Sequence, residues 1–335
     1  MRCEAHDCTK FWPTGTSYVQ RPWPWRYHRL TMFSYRHAFH AGNHADVLKH
    51  TTLIATLRHL MQKETPITLV DTHAGAGLYR LDGDYTETGG EAKDGIVKLM
   101  AALRPAQGAG VPACAALDDY LDLIAEFNPS GSLRIYPGSP FVMQSLLRTE
   151  ARDRLRLFEL HPTDGKTLDA NIAQLDAGRQ IAVSRQDGFE GLKPLLPPPP
   201  SSTGSKRALV LIDPSYEIKS DYGRVSACIQ ETLKRFPTGT FMVWYPIIPR
   251  TEAHDLPKRL KTLATQAKRP WLHATLAIGQ DPTHGPDDRP GLTASGVFVI
   301  NPPHTLKGAL QQALPVLLNV LGRGRGKGQT LESGG

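Results

Sequence analysis

Four stretches of this chain carry residue types that could do chemistry, and each leaves a run of β-forming residues. The first is Asp71-Thr72-His73-Ala74-Gly75-Ala76-Gly77, a glycine-rich turn that lets the backbone approach a nucleotide-like ligand closely. The second ends in Phe158-Glu159-Leu160, where an acidic side chain is placed to accept hydrogen bonds from ribose hydroxyls. The third is Gln186-Asp187-Gly188-Phe189, whose carboxylate could take a base amino group while the ring packs on the base. The fourth is Leu211-Ile212-Asp213-Pro214-Ser215-Tyr216-Glu217. There the Asp213 carboxylate and the Pro214 carbonyl can accept both N–H bonds of an exocyclic amine whose lone pair is delocalised into its ring. Held that way, the nitrogen is drawn towards tetrahedral geometry and its lone pair is exposed. Proline fixes φ and brings no competing donor, and Tyr216 offers a face on which an extruded base can stack.

Each stretch also has a plainer reading: a tight turn, a surface carboxylate, or a proline turn with its tyrosine in the core. Their coincidence at successive strand ends is harder to dismiss, because that edge is where open α/β sheets bind ligands. A near-copy, Asn301-Pro302-Pro303, follows the last strand with His304 in the aromatic position, and is read as a structural turn.

The elements that must position these residues are short apolar runs: Ile67–Asp71, Leu155–Leu160, Ile181–Ser184, Ala208–Asp213, Thr240–Tyr245, His273–Ile278 and Gly296–Asn301. Several are apolar throughout, as strands buried on both faces should be. Helical stretches alternate with them, which predicts a parallel, doubly wound sheet. The last two runs lie too close for a helical crossover, so an antiparallel edge pair is expected. From Asn43 to Lys63, Val47, Ile54, Leu57 and Met61 recur at helical steps, predicting an amphipathic helix. The first two strands lie too far apart for a simple βαβ unit of roughly 30 residues. Residues 85–134 therefore read as a small inserted lobe, with helices at Lys93–Leu103 and Leu117–Phe127.

Composition narrows the class without choosing a function. With 335 residues, 40% of them hydrophobic and 21% charged, the chain is neither disordered nor fibrous. No apolar run approaches the roughly 18 residues of a membrane helix. The four cysteines (Cys3, Cys8, Cys114 and Cys228) show no paired framework, which fits a reducing, cytoplasmic setting. The net charge of +7 is concentrated in residues 1–31, at +3, and 322–335, at +2. A basic balance favours a polyanionic partner, though solvated termini would also account for it. Residues 1–31 read as a disordered extension or a misassigned start, and 322–335 as a disordered tail. Cys3, His6 and Cys8 lack a distant fourth ligand, and His37, His40, His44 and His50 lack an obvious carboxylate or cysteine partner, so no metal is expected.

Two resemblances sharpen this picture. Asp213-Pro214-Ser215-Tyr216 resembles the D-P-P-Y motif of methyltransferases that act on exocyclic amino groups, with Ser215 in place of the second proline. Beyond it, Met32-Phe33-Ser34-Tyr35-Arg36-His37-Ala38-Phe39-His40-Ala41-Gly42-Asn43-His44-Ala45-Asp46-Val47-Leu48-Lys49-His50 and the Asp71–Gly77 turn carry a wider likeness. So do Tyr136-Pro137-Gly138-Ser139-Pro140, Glu159-Leu160-His161-Pro162, Asp187-Gly188-Phe189 and Gly291-Leu292-Thr293-Ala294-Ser295-Gly296. Together they look like the bacterial 23S rRNA adenine-N6 methyltransferase J family, from Met32 to about Leu321. The resemblance implies an α/β, Rossmann-like class I methyltransferase with a seven-stranded, mostly parallel sheet and an antiparallel edge pair. It implies S-adenosylmethionine as donor, with Lys49, His50, His73, Ser139, Glu159, Asp187 and Gly188 as its contacts. It makes Asp213 the catalytic acceptor, with Pro214 and Tyr216, and Tyr35 a substrate contact beside Tyr216. The implied partner is 23S rRNA, free or incompletely assembled, with no membrane and no obligate protein partner.

Three other readings compete. A DNA adenine-N6 methyltransferase shares the chemistry, but no separate DNA-reading domain is visible. An NAD-dependent oxidoreductase would explain the glycine turn and Glu159 but not Asp213 to Tyr216. A non-catalytic RNA-binding module would need Asp213 to be lost, and it is present.

Overall fold

A computed structural model describes residues 39–82, 91–105, 114–202, 204, 206–280 and 291–335. The expectations for residues 1–31 and for Tyr35 fall outside them. Helix α1, His44–Leu60, starts where the Asn43 side chain accepts hydrogen bonds from the N–H groups of Ala45 and Asp46, at 3.0 and 2.9 Å, an N-cap of the ordinary kind. Its periodicity suggested one buried face, but His44, Val47, His50, Thr51, Leu53, Thr56 and Leu57 are all buried. The helix is enclosed on nearly every side, not amphipathic. Its threonines are tolerated there because Thr52 and Thr56 donate back to the carbonyls of Leu48 and Thr52, both at 2.8 Å.

Ten strands follow. They are β1 (Thr68–Asp71), β2 (Leu78–Arg80), β3 (Ile135–Pro137), β4 (Arg154–Phe158), β5 (Ile181–Ser184), β6 (Ala208–Ile212), β7 (Thr240–Pro246), β8 (Trp271–Ala277), β9 (Ala294–Ile300) and β10 (Gly328–Gly334). Eight form one sheet in the order β10-β8-β9-β7-β6-β1-β4-β5. Strands β5, β4, β1, β6 and β7 are mutually parallel, while β9 runs against both β7 and β8. All five residues of β6 are buried, as expected of a central strand covered on both faces.

The sheet has eight strands where seven were expected. The extra one is β10, inside the segment read as a disordered tail. It pairs antiparallel with β8 along its whole length, so the sheet edge supplies the backbone partners that its glycine-rich composition gave no reason to expect. Gly334 lies against the Trp271 ring, where a Cβ would collide, and the Thr330 and Thr275 hydroxyls share a hydrogen bond at 2.7 Å.

Helices α2 (Ile96–Leu103) and α3 (Ala115–Glu126) lie between β2 and β3, which pair antiparallel. Helices α4 (Ser139–Ser145), α5 (Pro162–Ala173), α6 (Gly188–Leu192), α7 (Ser220–Arg235), α8 (Thr251–Gln266) and α9 (Leu306–Leu321) complete the fold. On one face of the sheet, Val225, Ile229 and Leu233 of α7 and Ala253, Leu256 and Leu260 of α8 pack with Val210, Ile212, Phe241 and Val243. Helices α1 and α9 contact strands β9 and β8 respectively and also pack on each other. Among the described residues no helix is long and apolar enough to cross a membrane.

Candidate active site

Asp213 emerges from the buried strand β6, and α1 brings Lys49 across the fold to meet it. Lys49 Nζ lies 2.6 Å from Asp213 Oδ2 and 2.9 Å from Asp46 Oδ1, one turn earlier in its own helix. All three side chains are largely buried. Burial alone would depress the lysine pKa, but the charges of Asp213 and Asp46 and their hydrogen bonds outweigh it and raise it. The ammonium therefore stays charged, so it holds the carboxylate in place and balances its charge. The same nitrogen stands 5.7 Å from the centre of the Trp244 ring.

The other strand ends converge on this edge. Glu159, after β4, accepts hydrogen bonds from the N–H groups of Gly75 and His161, both at 2.7 Å. Its carboxylate is thereby fixed against the glycine turn that follows β1. Asp187, after β5, caps α6 through Oδ1, and its Oδ2 is paired with Arg224. Burial pushes the Asp187 carboxyl up, but Arg224 and the N–H groups of Glu190 and Phe189 outweigh it and hold it below its usual range. The Arg224 guanidinium also covers the Phe189 ring at 4.5 Å. Gly188 sits hard against the Thr72 carbonyl, where a Cβ would collide, so the loops after β1 and β5 meet only because this residue lacks a side chain.

His73 packs edge-on to Phe189, with ring centres 4.9 Å apart. Its Nδ1 lies 2.8 Å from the Thr72 hydroxyl. That hydroxyl donates to the Leu211 carbonyl at 3.0 Å, so Nδ1 must be the donor and Nε2 the free acceptor. Burial lowers the His73 pKa to about 4, which keeps the ring neutral. Ser139 Oγ donates to Asp71 Oδ2 at 2.6 Å, and the His73 N–H reaches Asp71 Oδ1 at 3.2 Å. Burial lifts the Asp71 carboxyl to about 7 against those hydrogen bonds, and the Asp213 charge adds to the rise.

Comparison with known proteins gives this geometry a lineage. A family model described as "Ribosomal RNA large subunit methyltransferase D, RlmJ" matches residues 64–332. The chain is 42% identical over 286 residues to ribosomal RNA large subunit methyltransferase J of Escherichia coli, covering 85% of this chain and 93% of that protein. It belongs to the ribosomal RNA large subunit methyltransferase J family. The Haemophilus influenzae protein of the same name is 40% identical, covering 87% of this chain and 94% of its own. The solved structure of LPL1258 from Legionella pneumophila matches with a TM-score of 0.71 and 31% identity, over 88% of this chain and 98% of that one. The protein is thus an enzyme of the methyltransferase J family, built on the α/β Rossmann-like fold described above.

Within this family frame, Lys49, His73, Ser139, Glu159, Asp187, Gly188, Asp213 and Pro214 all lie at or beside one sheet edge. Two expected contacts land differently. His50 is buried in α1, with Nδ1 2.8 Å from the Tyr136 hydroxyl and its ring stacked on that tyrosine. Burial lowers its pKa to about 3, and its buried Nε2 has no hydrogen-bond partner among the described residues. Tyr216 is not an open stacking face. Its ring is 2% exposed, packed on Tyr222 and Trp244, and its hydroxyl donates to the Trp244 carbonyl at 2.7 Å. It stands at φ +54°, and Arg250 binds its carbonyl at 3.1 Å, so it braces the Asp213 turn from below.

Four residues escaped the sequence reading: Asp46, Asp71, Trp244 and Arg224. Asp46 stands three residues before Lys49 on α1, a spacing at which a carboxylate and an ammonium meet on one helix face. Asp71 is the last residue of β1, two residues short in register of Glu159 and Asp213, and reads in the sequence only as the start of a glycine turn. Trp244 and Arg224 lie mid-strand and mid-helix, and only the tertiary fold marks them.

Proposed function

We propose that this enzyme transfers the methyl group of S-adenosylmethionine to the exocyclic N6 of one adenine in 23S rRNA. The observation that carries this reading is the Lys49–Asp213 pair at the end of β6, on the same edge as Glu159 and Asp187. The residues present fit the donor. Glu159 is held by two N–H groups and keeps lone pairs for a ribose diol, and Asp187 can take a base amino group if Arg224 shares or releases its oxygen. The contact of Gly188 with the Thr72 carbonyl draws the loops bearing His73 and Asp187 together. When bound, the donor supplies an electrophilic methyl group on its sulfonium.

The protein's own part is positioning and charge. Asp213 and the Pro214 carbonyl accept the two N–H bonds of the target amine, turning its lone pair outward. Lys49 fixes the Asp213 carboxylate, whose negative charge would stabilise the positive charge that grows on nitrogen as its bond to the methyl carbon forms and the methyl–sulfur bond breaks. The surplus N6 proton then passes to solvent. A base reaching Asp213 must leave its stack, and the half-buried Trp244 ring beside Lys49 is the aromatic face offered to it there. This favours RNA that is free or incompletely assembled over a buried site in a finished subunit. Direct displacement needs positioning and desolvation rather than a metal, so turnover is expected to survive excess chelator.

The test is to incubate the protein with unmodified 23S rRNA and methyl-labelled donor, then analyse digested nucleosides by mass spectrometry. Labelled N6-methyladenosine is expected from rRNA. Label on duplex DNA instead, or on another nucleoside, would overturn the assignment.

A further inference from the structure

The basic run Arg323-Gly324-Arg325-Gly326-Lys327 takes no part in the chemistry above, yet the fold carries it to the edge where Asp213 lies. Strand β10 pairs with β8 in the register Gly328↔Ala277. Because β7 and β8 both run against β9, β8 points the same way as β6, and β10 begins at the edge where β6 ends. Four strand spacings separate β10 from β6, about 19 Å.

The run is held there by its backbone. Arg323 N–H donates to the Ile278 carbonyl at 2.6 Å, and Gln280 N–H donates to the Arg325 carbonyl at 3.1 Å. This approach needs Gly279, at φ +80°, where a Cβ would strike the carbonyls of Arg323 and Arg325. The Arg323 side chain is spent on Asp94, at 2.7 Å. Glu91, in the same short helical turn as Asp94, binds Asn43 Nδ2 at 2.7 Å and His40 Nδ1 at 3.1 Å. Asn43 caps the helix that carries Asp46 and Lys49. A continuous set of contacts therefore fixes the basic run relative to the Lys49–Asp213 pair. Arg325 and Lys327 are exposed and make no ion pair among the described residues, so two cations face solvent from a pinned loop.

We propose that Arg325 and Lys327 are a phosphate-anchoring site for the RNA backbone flanking the target adenosine, a proposal that rests on the rRNA reading above. The chemistry suits phosphate: a planar guanidinium able to bind two oxygens at once, beside a second cation. The pinned backbone means that little order must be gained on binding.

The experiment compares wild type with the double variant Arg325→Ala/Lys327→Ala and with the charge-keeping swap Arg325→Lys/Lys327→Arg. It measures KM for 23S rRNA fragments and the affinity of those fragments between about 50 and 200 mM salt, with donor affinity as the check on folding. Each lost phosphate contact should flatten the log–log salt slope by roughly 0.7–0.9. The alanine variant should therefore show a raised KM for RNA, and its handicap should shrink about tenfold across that salt range. The swap should stay close to wild type. If wild type methylates the RNA but the alanine variant keeps its KM and slope, the anchoring inference is wrong, and an acidic protein partner becomes the use left for the loop. If wild type methylates no RNA, the activity reading falls first and takes this one with it.

Discussion

Asp213-Pro214-Ser215-Tyr216 leaves β6 and Asn301-Pro302-Pro303-His304 leaves β9, and the two turns share more than a proline. Each contains a non-glycine residue at positive φ, Tyr216 at +54° and Asn301 at +53°. Yet β9 runs antiparallel to β7, so Asn301 is delivered to the sheet edge opposite Asp213. There its side chain is consumed as a staple, with Nδ2 donating to the carbonyls of Pro237 and Gly239 at 2.9 and 2.6 Å. Its N–H goes to the Pro270 carbonyl at 2.8 Å and its carbonyl accepts from Thr240 Oγ1 at 3.2 Å. Asp213 instead faces a buried lysine on the edge that also carries Glu159 and Asp187. Strand direction decides which turn can do chemistry, and no local string of residues records it.

The strongest test of that contrast is Asp213→Asn. The amide keeps the shape and one acceptor oxygen, but it removes the negative charge opposite Lys49 and adds a donor that can face the substrate amine. A preorganised electrostatic group of this kind commonly supplies about 10²–10³ in rate. The loss should fall on kcat and spare donor affinity, measured by single-turnover methyl transfer and by calorimetry. Near-normal turnover would remove Asp213 from the chemistry.

The next effect should come from Glu159, on the same edge as Asp213 and proposed to hold the donor's ribose. Glu159→Gln keeps one acceptor oxygen, yet its NH₂ must face the N–H of Gly75 or of His161. A charge-assisted hydrogen bond is worth roughly 1.5–3 kcal/mol, so donor affinity should fall about ten- to a hundredfold. Calorimetry without RNA reads this directly. Unchanged affinity would place the ribose elsewhere.

These residues were legible because parallel strands buried on both faces announce themselves as apolar runs, and a carboxylate at the end of such a run stands out. What lay hidden depended on contacts between distant parts of the chain. The Lys49–Asp213 pair spans 164 residues, and only family resemblance pointed to Lys49. Burial of α1 all round follows from its being enclosed by the sheet and its neighbouring helices, which periodicity along one helix cannot express. Strand β10 has few apolar residues and takes its order from the edge of β8. Tyr216 was expected to offer a stacking face, but its positive φ and hydroxyl bond turn the ring inward.

Asn301→Ala should show the other half of the contrast. Two backbone carbonyls would lose their donor, at roughly 1–3 kcal/mol for each one left unsatisfied, partly offset where water can reach them. Thermal or denaturant unfolding should register the loss, while the rate per folded molecule stays near wild type because Asn301 lies on the far edge. A collapse in kcat with stability intact would reverse the roles assigned to the two turns.

The smallest effect should come from making the two turns more alike. Ser215→Pro gives the Asp213 turn the double proline already present at Pro302-Pro303. Ser215 is exposed, and neither its N–H nor its hydroxyl has a hydrogen-bond partner among the described residues. A proline therefore removes no bond, and it narrows the unfolded chain's freedom, which commonly stabilises by about 0.4–1 kcal/mol. The residue before it is Pro214, whose ring already restricts φ, so the new restriction on ψ falls on a position with little freedom to lose. Turnover should be equal to wild type or modestly faster, because a stiffer turn holds the Pro214 carbonyl more steadily towards the amine. Unfolding and single-turnover assays on the one variant settle both points. A loss of more than about 1 kcal/mol would mean that the backbone at Ser215 lies outside the range proline allows, and that the serine is there to permit it.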